Sequence, residues 1–190
     1  MRLLLASRSP RRRQLLAELG FPVEIVSVDV DEHVPPTLPA AEVAEHLARR
    51  KAAAFPASAI PDDAVLVTAD TTVVLDRSVL GKPKDRQEAV RMLHSLAGHT
   101  HTVYTGVCLR TSRQEDSFTE ATRVHFTTLT DDEIDRYVDR CRPYDKAGAY
   151  GIQEWIGMIG VSHLEGCYYN VMGLPLSHLY KELKTLAIAP

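Results

Sequence analysis

The sequence is poor in cysteine and has no long run of apolar residues. Its 190 residues include three cysteines, and none stands in a Cys-x-x-Cys spacing. With an odd number of cysteines and no such spacing, the sequence predicts neither a disulfide framework nor a zinc ribbon. It predicts reduced thiols in a cytoplasmic protein. The first apolar run is too short for a signal peptide, and no window approaches the roughly 18 apolar residues of a membrane helix. We therefore expect no membrane partner.

An excess of positive charge is also missing. The chain has 22 Lys and Arg residues against 25 Asp and Glu, which leaves a net charge of −3. Because nucleic-acid-binding domains are normally strongly basic, this balance predicts that nucleic acid is not a partner. The sequence contains neither a P-loop nor a G-x-S-x-G nucleophile elbow, so it does not favour those two enzyme classes.

Apolar periodicity predicts an α/β fold, a mixed twisted sheet with flanking helices. Strands are expected at residues 2–6, 23–28, 64–75, 99–110, 118–129, 156–163 and 167–172, and helices at 10–19, 40–55, 86–97, 130–141 and 176–186. The long segments 99–110 and 118–129 are expected to pair as antiparallel strands. No linker divides the sequence, so a single domain over residues 1–190 is expected.

The turn from the first strand into the first helix has the features of an anion site. Ser9 suits the N-cap position, and Pro10 suits the first helical position. Arg11, Arg12 and Arg13 follow in a first turn where the helix dipole favours carboxylates. Hydroxyls, free amides and guanidinium groups at a helix start favour a phosphate ligand, and solvated arginines are the alternative.

Asp70 is the strongest single candidate for chemistry. It interrupts an apolar strand, where an unpaired carboxylate is costly to bury. The structural alternatives are a strand-end turn or a pair with a lysine. Glu32 belongs to a cluster of carboxylates at the end of the predicted strand 23–28, while Lys51 and Lys82 offer positive charge. Two carboxylates from different strands can hold Mg²⁺, and a carboxylate near the metal can deprotonate an attacking water.

A glycine-rich stretch at residues 144–154 is the third candidate. Gly148 and Gly151 flank Tyr150, and Gln153 follows. A glutamine amide combines a donor and an acceptor and can therefore read the edge of a nucleobase, although paired glycines more often mark a structural turn. The histidines at 99 and 101 share one face of a predicted strand, as a metal pair would require. With no acidic partner in spacing, solvated imidazoles are expected instead.

Together these segments resemble the Maf family, also called septum formation inhibitor-like proteins. Each motif is weak alone, but their order and spacing are specific, and the match runs from about residue 3 to 186. The motifs are Ser7-Arg8-Ser9-Pro10-Arg11-Arg12, Asp31-Glu32, Arg50-Lys51-Ala52, Ala69-Asp70-Thr71, Gly81-Lys82-Pro83, the stretch from Asp145 to Gln153, and Asn170-Val171-Met172-Gly173-Leu174-Pro175-Leu176. Arg8 departs from the pattern, because small residues are common there in the family.

The resemblance implies an elongated fold of two lobes around a central cleft, related to the inosine triphosphatases and often found as a homodimer. It also implies a nucleoside triphosphate pyrophosphatase that depends on a divalent cation, Mg²⁺ or Mn²⁺, and releases a monophosphate and pyrophosphate. The family has one branch that prefers dTTP and UTP and another that acts on 7-methyl-GTP. The Gly-Ile-Gln sequence ending at Gln153 resembles the dTTP and UTP branch.

The resemblance further implies roles for individual residues. Asp70 is the expected proton acceptor, and Glu32 and Asp70 are the expected metal ligands, with the division of the two tasks between them left open. The residues expected to bind the nucleotide are Ser7, Ser9, Arg11, Arg12, Lys51, Thr71, Lys82, Lys146 and Gln153, of which Arg11, Thr71 and Gln153 bear on the choice of base. A nucleotide-binding regulator of cell division with little turnover is the alternative function, and a phosphatase that releases orthophosphate is another.

Overall fold

The fold is described from a computed structural model, which covers residues 2–186. The strands are β1 (Arg2–Leu5), β2 (Val23–Ile25), β3 (Ala64–Leu75), β4 (Ser78–Leu80), β5 (Thr100–Arg110), β6 (Glu115–Phe126) and β7 (Val161–Glu165). The α-helices are α1 (Pro10–Ala17), α2 (Val43–Ala53), α3 (Arg86–Leu96), α4 (Asp131–Cys141), α5 (Trp155–Gly160), α6 (Tyr168–Met172) and α7 (Leu176–Thr185). Short 3₁₀ helices occur at Ala40–Glu42, Ala57–Ala59 and Ala147–Ala149. Between residues 2 and 186, no helix is both long and apolar enough to cross a membrane.

The seven strands form one mixed sheet, as predicted. Its order is β2-β1-β3-β5-β6-β7, and β4 pairs with β3 beside this path. Strand β1 is parallel to both β2 and β3, whereas β4 is antiparallel to β3 and β7 is antiparallel to β6. Parallel neighbours need crossover connections, and α1 supplies the one between β1 and β2. The sheet confirms the predicted fold class.

Several local sequence signals correspond to the observed elements. Strand β3 has the predicted bounds, and the turn after it has positive φ at Asp76 (46°) and Arg77 (74°), as a tight hairpin requires. Helix α4 begins with a capping box in which the Thr130 hydroxyl accepts from the Glu133 amide and the Glu133 carboxylate accepts from the Thr130 amide. These elements were predictable because their signals lie within a few residues.

The predicted strands at residues 156–163 and 167–172 are wrong in part or in whole. Residues 155–160 form α5, whose amides at Gly157 and Met158 donate to the carbonyl of Glu154, and β7 begins only at Val161. Residues 168–172 form α6, which carries the fully buried Asn170. A short apolar run fits a strand and a buried helical turn equally well, so periodicity could not separate them.

The chain packs into two compact units. Among the described residues, the first unit comprises 2–70, 105–120 and 173–186, and the second comprises 71–104 and 121–172. Their number agrees with the two lobes that the resemblance implies. The chain passes from the first unit to the second within β3, directly after Asp70.

In the first unit, α2 packs closely against β5. A Cβ atom added at Gly106 would lie 2.2 Å from the backbone nitrogen of Glu45, so only glycine fits there. The apolar face of α2 contributes Ala48 and Ala52 to a cluster with Leu4 and Leu66. The helix carrying Lys51 is therefore fixed against the sheet by a backbone contact.

Candidate active site

The loop between β1 and α1 is ordered by its own serines. The Ser9 hydroxyl accepts a hydrogen bond from the Arg12 amide at 3.4 Å, which confirms Ser9 as the N-cap of α1. The Ser7 hydroxyl accepts from the Ser9 amide at 3.2 Å. Both serines are half-buried, so their hydroxyls already shape the loop that was predicted to hold phosphate.

The Arg12 guanidinium is held by backbone carbonyls. Its Nε donates to the carbonyl of Gly173 at 2.8 Å, and its Nη1 donates to the carbonyl of Ala69 at 2.9 Å. Burial lowers the pKa of Arg12, and the nearby negative charge of Asp70 opposes that effect. Arg12 therefore places a desolvated positive charge beside the last residues of β3 in the first unit.

Lys51 joins the two predicted metal carboxylates. Its Nζ lies 2.9 Å from Oε1 of Glu32 and 2.5 Å from Oδ1 of Asp70. The Lys51 and Asp70 side chains are 13% and 16% exposed, whereas that of Glu32 is 50% exposed. The lysine partner predicted as the structural alternative for Asp70 is thus present, and it brings Glu32 to the same point.

This arrangement has the donor chemistry of a magnesium site. Two carboxylates from separate segments converge on one cation, and oxygen ligands are those that Mg²⁺ prefers. The ammonium of Lys51 also offers charge for a phosphate oxygen. The group formed by Glu32, Lys51 and Asp70 can therefore bind a cation, an anion or both.

Two further predicted residues, Arg11 and Thr71, lie next to residues of the candidate site along the chain. Arg11 is half-buried on α1 beside Arg12, and Thr71 is half-buried and follows Asp70 along β3. Because side chains alternate along a strand, Thr71 and Asp70 point to opposite faces of β3. Their expected roles in base choice stay predictions.

An open depression of about 500 Å³ lies along the β1–α1 loop. It is lined by Ser7, Arg8, Ser9, Pro10, Arg13, Gln14, Ala17 and Ile25. Asp70 and Lys51 are not among its walls, so this depression is separate from the carboxylate group. It is nevertheless where Arg8, the residue that departs from the family pattern, meets the two serines.

In the second unit, the glycine-rich stretch packs against the Gly-Lys-Pro loop. The Gly148 amide donates to the carbonyl of Gly81 at 3.0 Å. Gly148 has φ +67°, and a Cβ atom there would lie 3.0 Å from Cγ2 of Val73. This close approach explains the glycine at 148. Lys82, next to Gly81, has an exposed side chain.

Lys146 belongs to a buried polar network that the sequence did not reveal. Its side chain is only 8% exposed, and Nζ lies 2.8 Å from Oδ1 of Asp145 and 3.1 Å from Oε1 of Glu154. The Tyr137 hydroxyl donates to Oε2 of Glu154 and accepts from the Gly151 amide at 3.1 Å. Burial, followed by the hydrogen bond to Glu154, raises the pKa of Tyr137. Glu154 therefore links Lys146 to α4.

Gln153, beside this network, has a buried and unsatisfied acceptor. Within residues 2–186 no donor reaches its Oε1. A buried carbonyl oxygen without a donor costs about 1–3 kcal/mol, so a ligand donor there would be favoured. The predicted role in reading a base is compatible with this acceptor.

The prediction that the histidines at 99 and 101 are solvated is wrong for His101. This side chain is 1% exposed, and its Nε2 lies 2.7 Å from the hydroxyl of Tyr150. Tyr150 is itself buried, and burial raises its pKa. His101 thus supports the stretch 144–154 from beneath instead of facing solvent.

The family model described as "Maf-like protein" matches residues 2–186. A protein of Bacteroides thetaiotaomicron named dTTP/UTP pyrophosphatase is 51% identical over 97% of this chain and 95% of its own length. A Flavobacterium johnsoniae protein with the same name is 44% identical, also over 97% and 95%.

Among solved structures, the Ham1 protein of Staphylococcus aureus is similar in fold, with a TM-score of 0.53 and 13% identity. The match covers 97% of this chain and 99% of that one. This likeness concerns the fold alone, whereas the family follows from the sequence match over residues 2–186. The chain belongs to the Maf-like protein family.

Proposed function

We propose that this protein is a nucleoside triphosphate pyrophosphatase that hydrolyses dTTP and UTP to the monophosphate and pyrophosphate. Relatives with that activity in their name share 44–51% identity with nearly the whole chain. The observation that carries the proposal is the convergence of Glu32 and Asp70 on the Lys51 ammonium. A carboxylate pair and a cation are the groups that attack on a shielded phosphorus requires.

The proposed reaction is attack of water on the α-phosphorus. Asp70 takes a proton from that water while the oxygen of the water forms a bond to the α-phosphorus. The bond from the α-phosphorus to the oxygen that bridges to the β-phosphorus breaks. Pyrophosphate leaves with the electron pair of that bond. Lys51 and Arg12 hold negative oxygens of the triphosphate, since phosphoryl transfer depends on neutralising this charge.

A divalent cation is part of the proposal. Glu32 and Asp70 would hold it, because their carboxylates already converge on a cation and offer the oxygen ligands that Mg²⁺ and Mn²⁺ accept. When bound, such an ion supplies Lewis-acid polarisation of phosphate oxygens.

Other residues are assigned to the nucleotide by the family resemblance. Ser7, Ser9 and Lys82 are proposed to bind phosphate, Lys146 to bind the nucleotide, and Arg11, Thr71 and Gln153 to select the base. The unsatisfied Oε1 of Gln153 supports the last of these roles, because the N3–H of thymine or uracil is a suitable donor.

A cytoplasmic homodimer completes the proposal. Free cysteines at 108, 141 and 167 fit a reducing compartment. The second unit exposes Met158 at 74%, together with Tyr168 and Tyr169, and exposed apolar side chains are typical of subunit contacts. Light scattering of the purified chain tests the dimer by its mass.

The decisive experiment compares Asp70→Asn with Asp63→Asn. Both remove one carboxylate charge, but Asp63 lies in an exposed pair with Arg2 just before β3. The proteins are incubated with a panel of nucleoside triphosphates with Mg²⁺, with Mn²⁺ or with a chelator. Monophosphate, pyrophosphate and orthophosphate are measured separately. We expect Asp70→Asn to lose about 10²–10⁴-fold in turnover and Asp63→Asn to keep it.

The products decide between the alternatives. Orthophosphate as the first product would replace the proposal with a phosphatase. Tight nucleotide binding without turnover by the unaltered protein would favour the regulator. A folded Asp70→Asn protein with normal pyrophosphate release would refute the role of Asp70. A Gln153→Ala variant with an unchanged ranking of bases would refute base reading by that side chain.

A further inference from the structure

We propose that the second unit carries a transition-metal site formed by His125, His163 and Glu165. It takes a divalent ion that favours imidazole, with Zn²⁺ as the representative. These residues differ from the carboxylates proposed for the hydrolytic reaction. The site therefore goes beyond the proposed function and does not depend on it.

Strand register brings the three side chains together. In the antiparallel pair of β6 and β7, His125 lies directly opposite His163, and Arg123 lies directly opposite Glu165. Since side chains two residues apart on a strand share a face, His163 and Glu165 project to the same side of β7. Directly opposed residues have close Cβ atoms, so the two imidazoles meet across the ladder.

The candidate ligand atoms are already close. One atom from each of the three side chains can be chosen so that all lie within 4.8 Å of one another. The Nε2 of His125 is 2.9 Å from Oε1 of Glu165, and the centroids of the two imidazoles are 5.3 Å apart. Tetrahedral zinc with bonds of about 2.0–2.2 Å places its ligand atoms roughly 3.3 Å apart. Small side-chain rotations would therefore complete the site.

Neighbouring groups orient two of the ligands. The Thr100 hydroxyl lies 2.8 Å from Nδ1 of His125, so Nδ1–H can donate to it while Nε2 faces the carboxylate. Arg123 donates from Nη1 to Oε2 of Glu165 at 2.9 Å, which leaves Oε1 turned toward His125. Such second contacts are what fix the tautomer and direction of metal ligands. The metal would bind Nε2 of His125 and Oε1 of Glu165 in place of the hydrogen bond that joins them.

The ligand set selects the kind of ion. Two imidazoles and one carboxylate suit Zn²⁺ and its neighbours Co²⁺, Ni²⁺ and Cu²⁺, whereas Mg²⁺ keeps to oxygen ligands. Three protein ligands leave a further position for water or another donor. His163 and Glu165 are exposed, so the ion can enter from solvent without a change in the fold.

The test is calorimetric titration of the full chain with Zn²⁺ in the presence of excess Mg²⁺, which occupies sites made of oxygen ligands. We expect one equivalent of Zn²⁺ to bind. His163→Ala and Glu165→Gln each remove one ligand. Either variant should bind Zn²⁺ at least about 10-fold more weakly, because only two of the three protein ligands of the site are left. The control is His94→Ala, which removes an exposed histidine of α3 outside the site.

Two further measurements guard against misfolding and unspecific binding. Zn²⁺ should raise the midpoint of thermal unfolding for the unaltered chain and for His94→Ala, but not for His163→Ala. Nucleotide hydrolysis by His163→Ala with Mg²⁺ should be unchanged. Absence of a stoichiometric Zn²⁺ site, or equal affinity in His163→Ala and the unaltered chain, would overturn the proposal. Equal weakening by His94→Ala would do the same.

Discussion

Acidification is expected to weaken the second unit through one buried imidazole, that of His101. The ring is 1% exposed and makes edge-on contacts with Phe126 and Tyr150, with ring centroids 5.2 and 5.4 Å away. Nε2 meets the Tyr150 hydroxyl, while Nδ1 is buried and reaches no partner within residues 2–186. A second proton on this ring would therefore add a charge and an unsatisfied N–H in an apolar place.

The pKa of His101 is accordingly lowered from 6.5 to about 4, first by burial and second by the charge of His125. Between these two values the unfolded chain binds a proton that the folded chain does not bind. The free energy of unfolding therefore rises with pH between about 4 and 6.5. Acidification through this range removes that stabilisation. At about 1.4 kcal/mol for each pH unit, the full effect is roughly 3 kcal/mol.

The assay is urea unfolding at a series of pH values from about 7.5 to 4.5, for the unaltered chain and for His101→Gln. The amide can still hydrogen-bond the Tyr150 hydroxyl but does not titrate. Carboxylates elsewhere affect both proteins equally, so the difference between the two curves isolates the imidazole. We expect the unaltered chain to lose roughly 2–3 kcal/mol more than His101→Gln over this range.

Two results would refute this reasoning. One is a constant difference in unfolding free energy between the two proteins at every pH. The other is an NMR titration in which the His101 ring protonates near 6.5 in the folded protein. Either result would mean that the ring is not desolvated in the way its contacts indicate.

Three further predictions concern packing and reactivity. Gly106→Ala should lower the unfolding free energy by about 3 kcal/mol or more in urea, because the added methyl group meets backbone atoms of α2 2.2 Å away. Arg12→Lys should lower the unfolding free energy by about 1–3 kcal/mol in the same assay, because an ammonium lacks the forked donors with which the guanidinium bonds two carbonyls. The same change at the exposed Arg13 should lower it little. A thiol reagent at neutral pH should label the exposed Cys141 first and leave Cys108 unlabelled until the chain unfolds, because burial raises the pKa of Cys108 to about 12; rapid labelling of Cys108 in the folded chain would contradict this.

The elements that were predictable from the sequence are those whose signals are local. The β-branched residues of β3 and the turn at Asp76 lie next to each other in the sequence, and so do Thr130 and Glu133 of the capping box. Helices α5 and α6 were mistaken for strands because their apolar residues are few. In α6, the side chain of Asn170 donates hydrogen bonds to Val103 and Thr122, which lie in distant segments that local periodicity does not reveal.

In the candidate site too, residues with local signals were predictable and those that depend on distant contacts were not. Asp70 was recognisable as a carboxylate within an apolar strand, and a lysine partner was among its predicted surroundings. Glu154 could not be assigned, because its partner Tyr137 lies 17 residues away on another helix. His101 was expected in solvent because Tyr150, which covers it, is 49 residues distant. Pairings of this kind depend on tertiary packing, which one sequence does not reveal.

The ammonium of Lys51 lies between Glu32 and Asp70, the two carboxylates that are proposed to hold a divalent cation. Its single positive charge already compensates part of the two negative charges, so in the proposed enzyme a divalent ion without a nucleotide would gain little by binding there. An ion that arrives on a triphosphate brings negative oxygens to which the ammonium can turn. In the proposed enzyme, Glu32 and Asp70 would hold the divalent ion that a nucleotide brings with it, and Lys51 would turn from these carboxylates to the phosphate oxygens.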